Sequence, residues 1–110
     1  MAEEMILVGA ASDVPESGGK AFQAGDFSVL VCNTRDGWFA VENVCSHQLQ
    51  ALEGGKIRGC FIFCPLHGQR FDLRSGAPIG QLTDKPLRVF DVRVEGENLF
   101  VSPSPRAVQG

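Results

Sequence analysis

Tyrosine is absent from this chain of 110 residues, and histidine is nearly so, with only His47 and His67. Two imidazoles cannot serve both a mononuclear iron of the two-His, one-carboxylate type and any second His-dependent centre. No apolar run approaches the roughly 20 residues that a membrane helix requires. The start, Met1-Ala2-Glu3-Glu4, is acidic and lacks the apolar core of a secretory signal, so a cytoplasmic protein without a membrane anchor is expected. A formal net charge of −3 gives nucleic acid little to bind. There are no repeats, no low-complexity tract and no convincing long helix. Cysteine is sparse as well: four residues, with no C-x4-C-x2-C run of the kind an all-cysteine plant-type cluster requires.

What is present suits one small globular domain spanning residues 1–110. Hydrophobic residues make up 44% and charged residues 21%, ordinary values for a chain long enough to bury one core. The pattern is all-β. Strands are expected at 5–8, 20–24, 27–34, 38–41, 56–58 and 61–64, with Arg70-Phe71-Asp72 returning from the last of these. Gly25-Asp26 and Arg35-Asp36-Gly37 supply hairpin turns, and residues 11–15 read as a short capped turn. Ser17-Gly18-Gly19 reads as a loop and 77–85 as irregular chain. Residues 87–95 alternate as one strand, with Phe90, Val92 and Val94 on one side, and a last strand covers 98–102. A frayed tail is expected over about 103–110. Trp38 and Phe39 read as packing residues, and Cys32 as a small buried hydrophobe ending the run Val29-Leu30-Val31.

Chemistry concentrates between Cys45 and Gly68. The stretch opens with Cys45-Ser46-His47 and closes with Cys64-Pro65-Leu66-His67-Gly68, sixteen residues separating His47 from Cys64. Each end offers one thiolate and one imidazole, so two loops could clamp a metal centre from opposite sides. Two Cys and two His also suit tetrahedral zinc, which would make the chain a zinc-stabilised interaction module. Zinc fingers, however, usually pair Cys with Cys and His with His, the second pair on a helix, whereas here each pair is mixed and the flanks are strands and loops. Cys60 lies four residues before Cys64 and could be mistaken for a ligand.

The mixed pairs, the Pro65 between ligands, the His67-Gly68 step and the Leu52-to-Gly55 turn resemble the Rieske [2Fe-2S] ferredoxins. That resemblance implies a small antiparallel β-sandwich with a two-loop cluster-binding subdomain at its tip, over about residues 43–84. It further implies one Rieske-type [2Fe-2S] cluster, with Cys45 and Cys64 on the inner iron and His47 and His67 on the outer iron. With two thiolates the cluster is formally neutral when oxidised and singly negative when reduced; four thiolates would leave it doubly and triply negative. Adding an electron to a neutral centre costs less electrostatic work, so imidazole ligation raises the potential.

Rieske proteins of the respiratory chain carry an additional Cys in each loop; the matching positions here are Gln50 and Leu66, so that disulfide is excluded. They also place Ser and Tyr hydroxyls where this chain has Gln69 and Phe71. Fewer donors to sulfur disfavour reduction, and a potential near the low end of the Rieske range, about −150 mV, is expected. The chain thereby resembles the stand-alone ferredoxins of bacterial aromatic-ring-hydroxylating dioxygenases. The resemblance implies a non-catalytic, monomeric one-electron carrier between a flavin-dependent ferredoxin reductase and a terminal oxygenase. A Rieske-type small subunit of an assimilatory nitrite reductase is the alternative. Gln48, Pro65 and Leu66, beside the ligands, are candidate partner contacts. Charge is uneven: residues 1–55 carry eight acidic and two basic groups, residues 56–110 five and eight. That is a mixed solvated surface or, more sharply, an acidic patch steering a basic partner.

Overall fold

The computed structural model describes residues 5–44, 51–64, 69–79, 86–103 and 105. Eleven strands run in this order: β1 (Ile6–Ala10), β2 (Gly18–Ala24), β3 (Phe27–Thr34), β4 (Gly37–Glu42), β5 (Ile57–Arg58), β6 (Phe61–Phe63), β7 (Arg70–Asp72), β8 (Pro78–Ile79), β9 (Val89–Phe90), β10 (Val92–Glu95) and β11 (Asn98–Val101). A 3-10 turn, Ala11–Asp13, follows β1. All pairings among these strands are antiparallel and form three sheets, ordered β1-β11-β10, β2-β3-β4-β9 and β5-β6-β7-β8. The expected all-β, antiparallel architecture is the one observed.

The β2-β3-β4-β9 sheet is the middle layer. Along β3 the side chains alternate between two cores: Leu30 and Cys32 join one, Val29 and Val31 the other. On β4, Val41 and Phe39 go with the first and Ala40 and Trp38 with the second. A strand buried on both faces has no room for a polar side, which is why Val29-Leu30-Val31-Cys32 reads as an unbroken apolar run. Burial pushes the Cys32 thiol up to about 12, so it behaves as an inert hydrophobe. The β1-β11-β10 sheet closes the second core with Leu99 and Val101, and the β5–β8 sheet closes the first with Ile57, Ile62 and Phe71.

Beyond shifts of one or two residues at strand ends, three features differ from the sequence reading. Gly18 and Gly19 belong to β2, opposite Asn33 and Cys32, rather than to a loop. A Cβ at Gly19 would stand 3.3 Å from the Leu30 side chain, so glycine there lets two strands approach closely. Within the stretch expected to be irregular, Pro78–Ile79 pairs with β7. The single strand expected over 87–95 is two: Val89–Phe90 pairs with β4, Val92–Glu95 with β11. The chain changes sheets at Asp91, whose carbonyl accepts from the Ser102 N–H at 3.0 Å. The predicted alternation survives this change, since Phe90, Val92 and Val94 all face the same core.

Candidate metal centre

Of the four predicted ligands, Cys64 lies among the described residues; Cys45, His47 and His67 lie outside them, as do Gly68 and the candidate contacts Gln48, Pro65 and Leu66. Cys64 directly follows β6, is 2% exposed and has no disulfide partner. It sits in the first core, with Leu52, Ile62, Phe71 and Leu73. Cys60 is also free and buried, but it occupies the turn between β5 and β6, where its carbonyl accepts from the Leu73 N–H at 2.7 Å. An unbridged thiol enclosed by apolar side chains at the end of a strand fits an inner-iron thiolate kept from solvent. The donor chemistry available here therefore agrees with the predicted cluster.

Both loop roots are held by hydrogen bonds, in different ways. For residues 65–68 the closure is main chain to main chain, the Cys64 N–H donating to the Gln69 carbonyl at 2.7 Å. For residues 45–50 the described closure comes from a side chain. Asn43 Oδ1 accepts from the N–H groups of Leu52 and Glu53, each at 3.0 Å. Asn43 is itself tied to β3, its N–H donating to the Ser28 carbonyl at 2.9 Å. Glu53 then accepts the Ala21 N–H on its carboxylate at 2.8 Å, joining the turn to β2. Leu52, at the far end of the first loop, is fully buried in the same core as Cys64. The two loops thus share one apolar footing.

Gln69 was singled out in the sequence for the hydroxyl it lacks; the structure gives it a place of its own. Its side chain is 2% exposed, and Nε2 donates to the carbonyls of Arg70 at 2.8 Å and Ile79 at 3.1 Å. Two carbonyl acceptors demand the NH2 group on that side, which fixes the orientation of the amide. Both amide hydrogens are committed to backbone, leaving none for a sulfur. Oε1 is buried without a partner among the described residues. Sequence reasoning began the cluster-binding subdomain at about residue 43 but gave the Asn43 side chain no role; its type, an Asx residue just ahead of a loop, was the available signal.

The outer face of the β5–β8 sheet is basic and aromatic. The Arg70 guanidinium lies over the rings of Phe61, at 5.6 Å, and Phe63, at 6.0 Å. Asp72 accepts from Arg74, and this hydrogen bonding holds its carboxyl below the usual range.

The described roots of two short loops thus meet in one core, one of them at a buried free cysteine, on a three-sheet antiparallel scaffold. The sequence model of the Rieske [2Fe-2S] domain matches residues 4–101, and the chain belongs to that family. The chain is 35% identical over 80 residues to the ferredoxin component of biphenyl 2,3-dioxygenase from Rhodococcus jostii, covering 73% of this chain and 75% of that one. Its fold superposes with a TM-score of 0.83 on the ferredoxin of carbazole 1,9a-dioxygenase from Nocardioides aromaticivorans, at 32% identity, covering 91% and 98% of the two chains. A ferredoxin solved in complex with the reduced oxygenase of carbazole 1,9a-dioxygenase matches with a TM-score of 0.84 at 28% identity, covering 96% and 99%. As in these ferredoxin components, the cofactor is one Rieske [2Fe-2S] cluster and the role is electron transfer, not catalysis. No helix among the described residues is long and apolar enough to cross a membrane.

Proposed function

We propose that this protein is the one-electron carrier of a ring-hydroxylating dioxygenase system, taking electrons from a flavin-dependent ferredoxin reductase and passing them to the terminal oxygenase. Cys45 and Cys64 hold the inner iron, and His47 and His67 the outer one. The carrier works as a cytoplasmic monomer and does not engage nucleic acid. The observation that carries this reading is the buried, unbridged Cys64 at the root of the second loop, within a chain related along most of its length to dioxygenase ferredoxins.

The bound cluster supplies one reversible electron, and the protein supplies its surroundings. Cys64 and the side chains around it exclude water from the thiolate side. The Gln69 side chain, with both amide hydrogens on backbone carbonyls, contributes no donor that would draw negative charge off sulfur. Phe71, fully buried in the first core, contributes no hydroxyl either. Both features support a potential toward the low end of the Rieske range, about −150 mV, suited to accepting from a flavin.

The test is optical and electron paramagnetic resonance spectroscopy, followed by turnover. Anaerobically purified protein is expected to be red-brown, to give a rhombic signal after dithionite reduction, and to be reoxidised by the oxygenase component when substrate is present. A colourless protein holding zinc overturns the cluster assignment. A red-brown protein that delivers electrons to no oxygenase overturns the carrier role.

A further inference from the structure

We infer that Asn43 is the positioning residue of the first ligand loop, the side chain that brackets the two ends of the loop carrying Cys45 and His47 and so sets its register with the rest of the site. The inference rests on the ligand assignment proposed above. It starts from the unlike closure of the two loops. The second loop is closed by a backbone bond, Cys64 N–H to the Gln69 carbonyl at 2.7 Å, which any pair of residues other than proline could make. Among the described residues, no backbone bond joins the two sides of the first loop. Its closure is the Asn43 carboxamide, whose Oδ1 accepts two successive N–H groups, those of Leu52 and Glu53, at 3.0 Å each.

The side chain is suited to this in several ways. One oxygen has two lone pairs, so it satisfies both amides at once, where a hydroxyl on a shorter stem would have to reach as far. The same residue is anchored to the middle sheet through its own N–H to the Ser28 carbonyl at 2.9 Å, so the bracket is referenced to β3 and does not float with the loop. A further contact, Nδ2 to Ser28 Oγ, is long at 3.4 Å and contributes little. The N–H of Leu52 adjoins a fully buried side chain, and losing its acceptor would leave a part-buried donor unpaired where water must enter to replace it. The glycine-rich turn that follows returns to Phe63 and Cys64: Gly55 N–H donates to the Leu52 carbonyl at 2.9 Å, and Phe63 N–H to the Lys56 carbonyl at 2.9 Å. Asn43 therefore sets the first loop relative to the strand that presents Cys64. Displacing it shifts one pair of ligands against the other, and the cluster is the group that registers the shift.

The experiment uses the whole cluster-bearing protein and two substitutions that keep the number and branching of side-chain heavy atoms. Asn43→Leu removes the one acceptor that serves both bonds; Asn43→Asp keeps an oxygen for both N–H groups. Asn43→Leu is expected to release iron to a chelator about tenfold faster than the native protein, as the loss of a buried hydrogen-bond acceptor predicts. It should also broaden the electron paramagnetic resonance spectrum of the reduced state, because the ligands no longer adopt one arrangement. Asn43→Asp should restore a single narrow spectrum and a release rate within about twofold of native. Ser28→Ala, which removes only the long contact, should match native in both. A general loss of stability would not give the spectral rescue by Asp. If Asn43→Leu folds without assembling a cluster while Asn43→Asp assembles it, the inference stands. Overturning it takes native release and an unbroadened spectrum in Asn43→Leu, or equal damage from Asn43→Leu and Asn43→Asp. Failure of the ligand assignment is separate, since native protein would then hold no iron at all.

Discussion

The middle sheet and the β5–β8 sheet, which leads to Cys64, are built on opposite economies of strand. β2 and β3 pair over seven consecutive positions, from Gly18↔Asn33 to Ala24↔Phe27, and β3 and β4 over six. The β5–β8 sheet has ladders of two, three and two pairs. Long ladders carry their own cooperativity, whereas ladders this short are marginal by themselves. The short sheet is held instead by its buried residues, Ile57, Ile62, Phe71 and Leu73, packed on the middle sheet, and by local polar locks in its turns. Scaffold and proposed ligand-bearing element thus differ, within one small chain, in what holds them together.

The largest effect that would sharpen this contrast is removal of the cluster. With iron and sulfide stripped, amide hydrogen exchange should accelerate strongly at Ile62 and Phe71, while Val29, Leu30 and Val31 of β3 remain protected. Metal-binding free energy is folding free energy for the segment that closes around it, and the middle sheet closes around nothing. Equal loss of protection in both places would show that the two regions unfold as one unit and would break the comparison.

A smaller contrast comes from glycine. A Cβ on Gly55 would overlap the Phe63 carbonyl oxygen, which belongs to the residue just before Cys64. Backbone on both sides cannot yield cheaply, so Gly55→Ala is expected to cost about 2 to 3 kcal/mol and to speed iron release. Gly96, between β10 and β11, has φ +62 but open space around it. Gly96→Ala should cost only the conformational strain, about 1 kcal/mol, and leave iron release unchanged. Urea unfolding, with iron release to a chelator measured alongside, separates the two. Indistinguishable release from both variants would remove the special role of the Leu52–Gly55 turn.

Which features were legible in the sequence follows the same division. The hairpins of the middle sheet announced themselves through Gly25-Asp26 and Asp36-Gly37 between apolar runs, because local turn chemistry and period-two patterning are written in adjacent residues. The mixed Cys and His pairs stand out in the sequence because metal ligation restricts residue type, and they remain the proposed ligand set. What escaped reading depended on distant partners. The break at Asp91 is set by β4 on one side and β11 on the other, and nothing in the alternation of Leu87 to Glu95 says which sheet each half will join. Pro78–Ile79 is a strand only because β7 offers it an edge. Asn43 and Gln69 look like ordinary loop polars until Leu52, Glu53 and Ile79 are brought beside them.

The smallest expected effect concerns the polar lock at the end of β7. Asp72 accepts from the Arg74 backbone N–H at 2.9 Å and from Nε and Nη2 at 3.1 and 2.9 Å. Hydrogen bonding to Arg74, only partly opposed by lost hydration, holds the Asp72 carboxyl below the value of about 3.9 expected for it in the unfolded chain. A depressed folded value means that the unfolded state binds the proton first as pH falls. The lock therefore contributes fully above the unfolded value and is lost as pH drops through the lower folded one. Arg74 is 61% exposed, so solvent screens the pair and the contribution is small. Asp72→Asn should lower the urea midpoint slightly at neutral pH, with the difference from native shrinking as the solution is taken below about pH 4. Hydrogen exchange should place that loss at Phe71 and Leu73 and not at Val31. A difference that grew on acidification, or one felt equally in β3, would mean that the turn locks of the short sheet do not supply what its ladders lack.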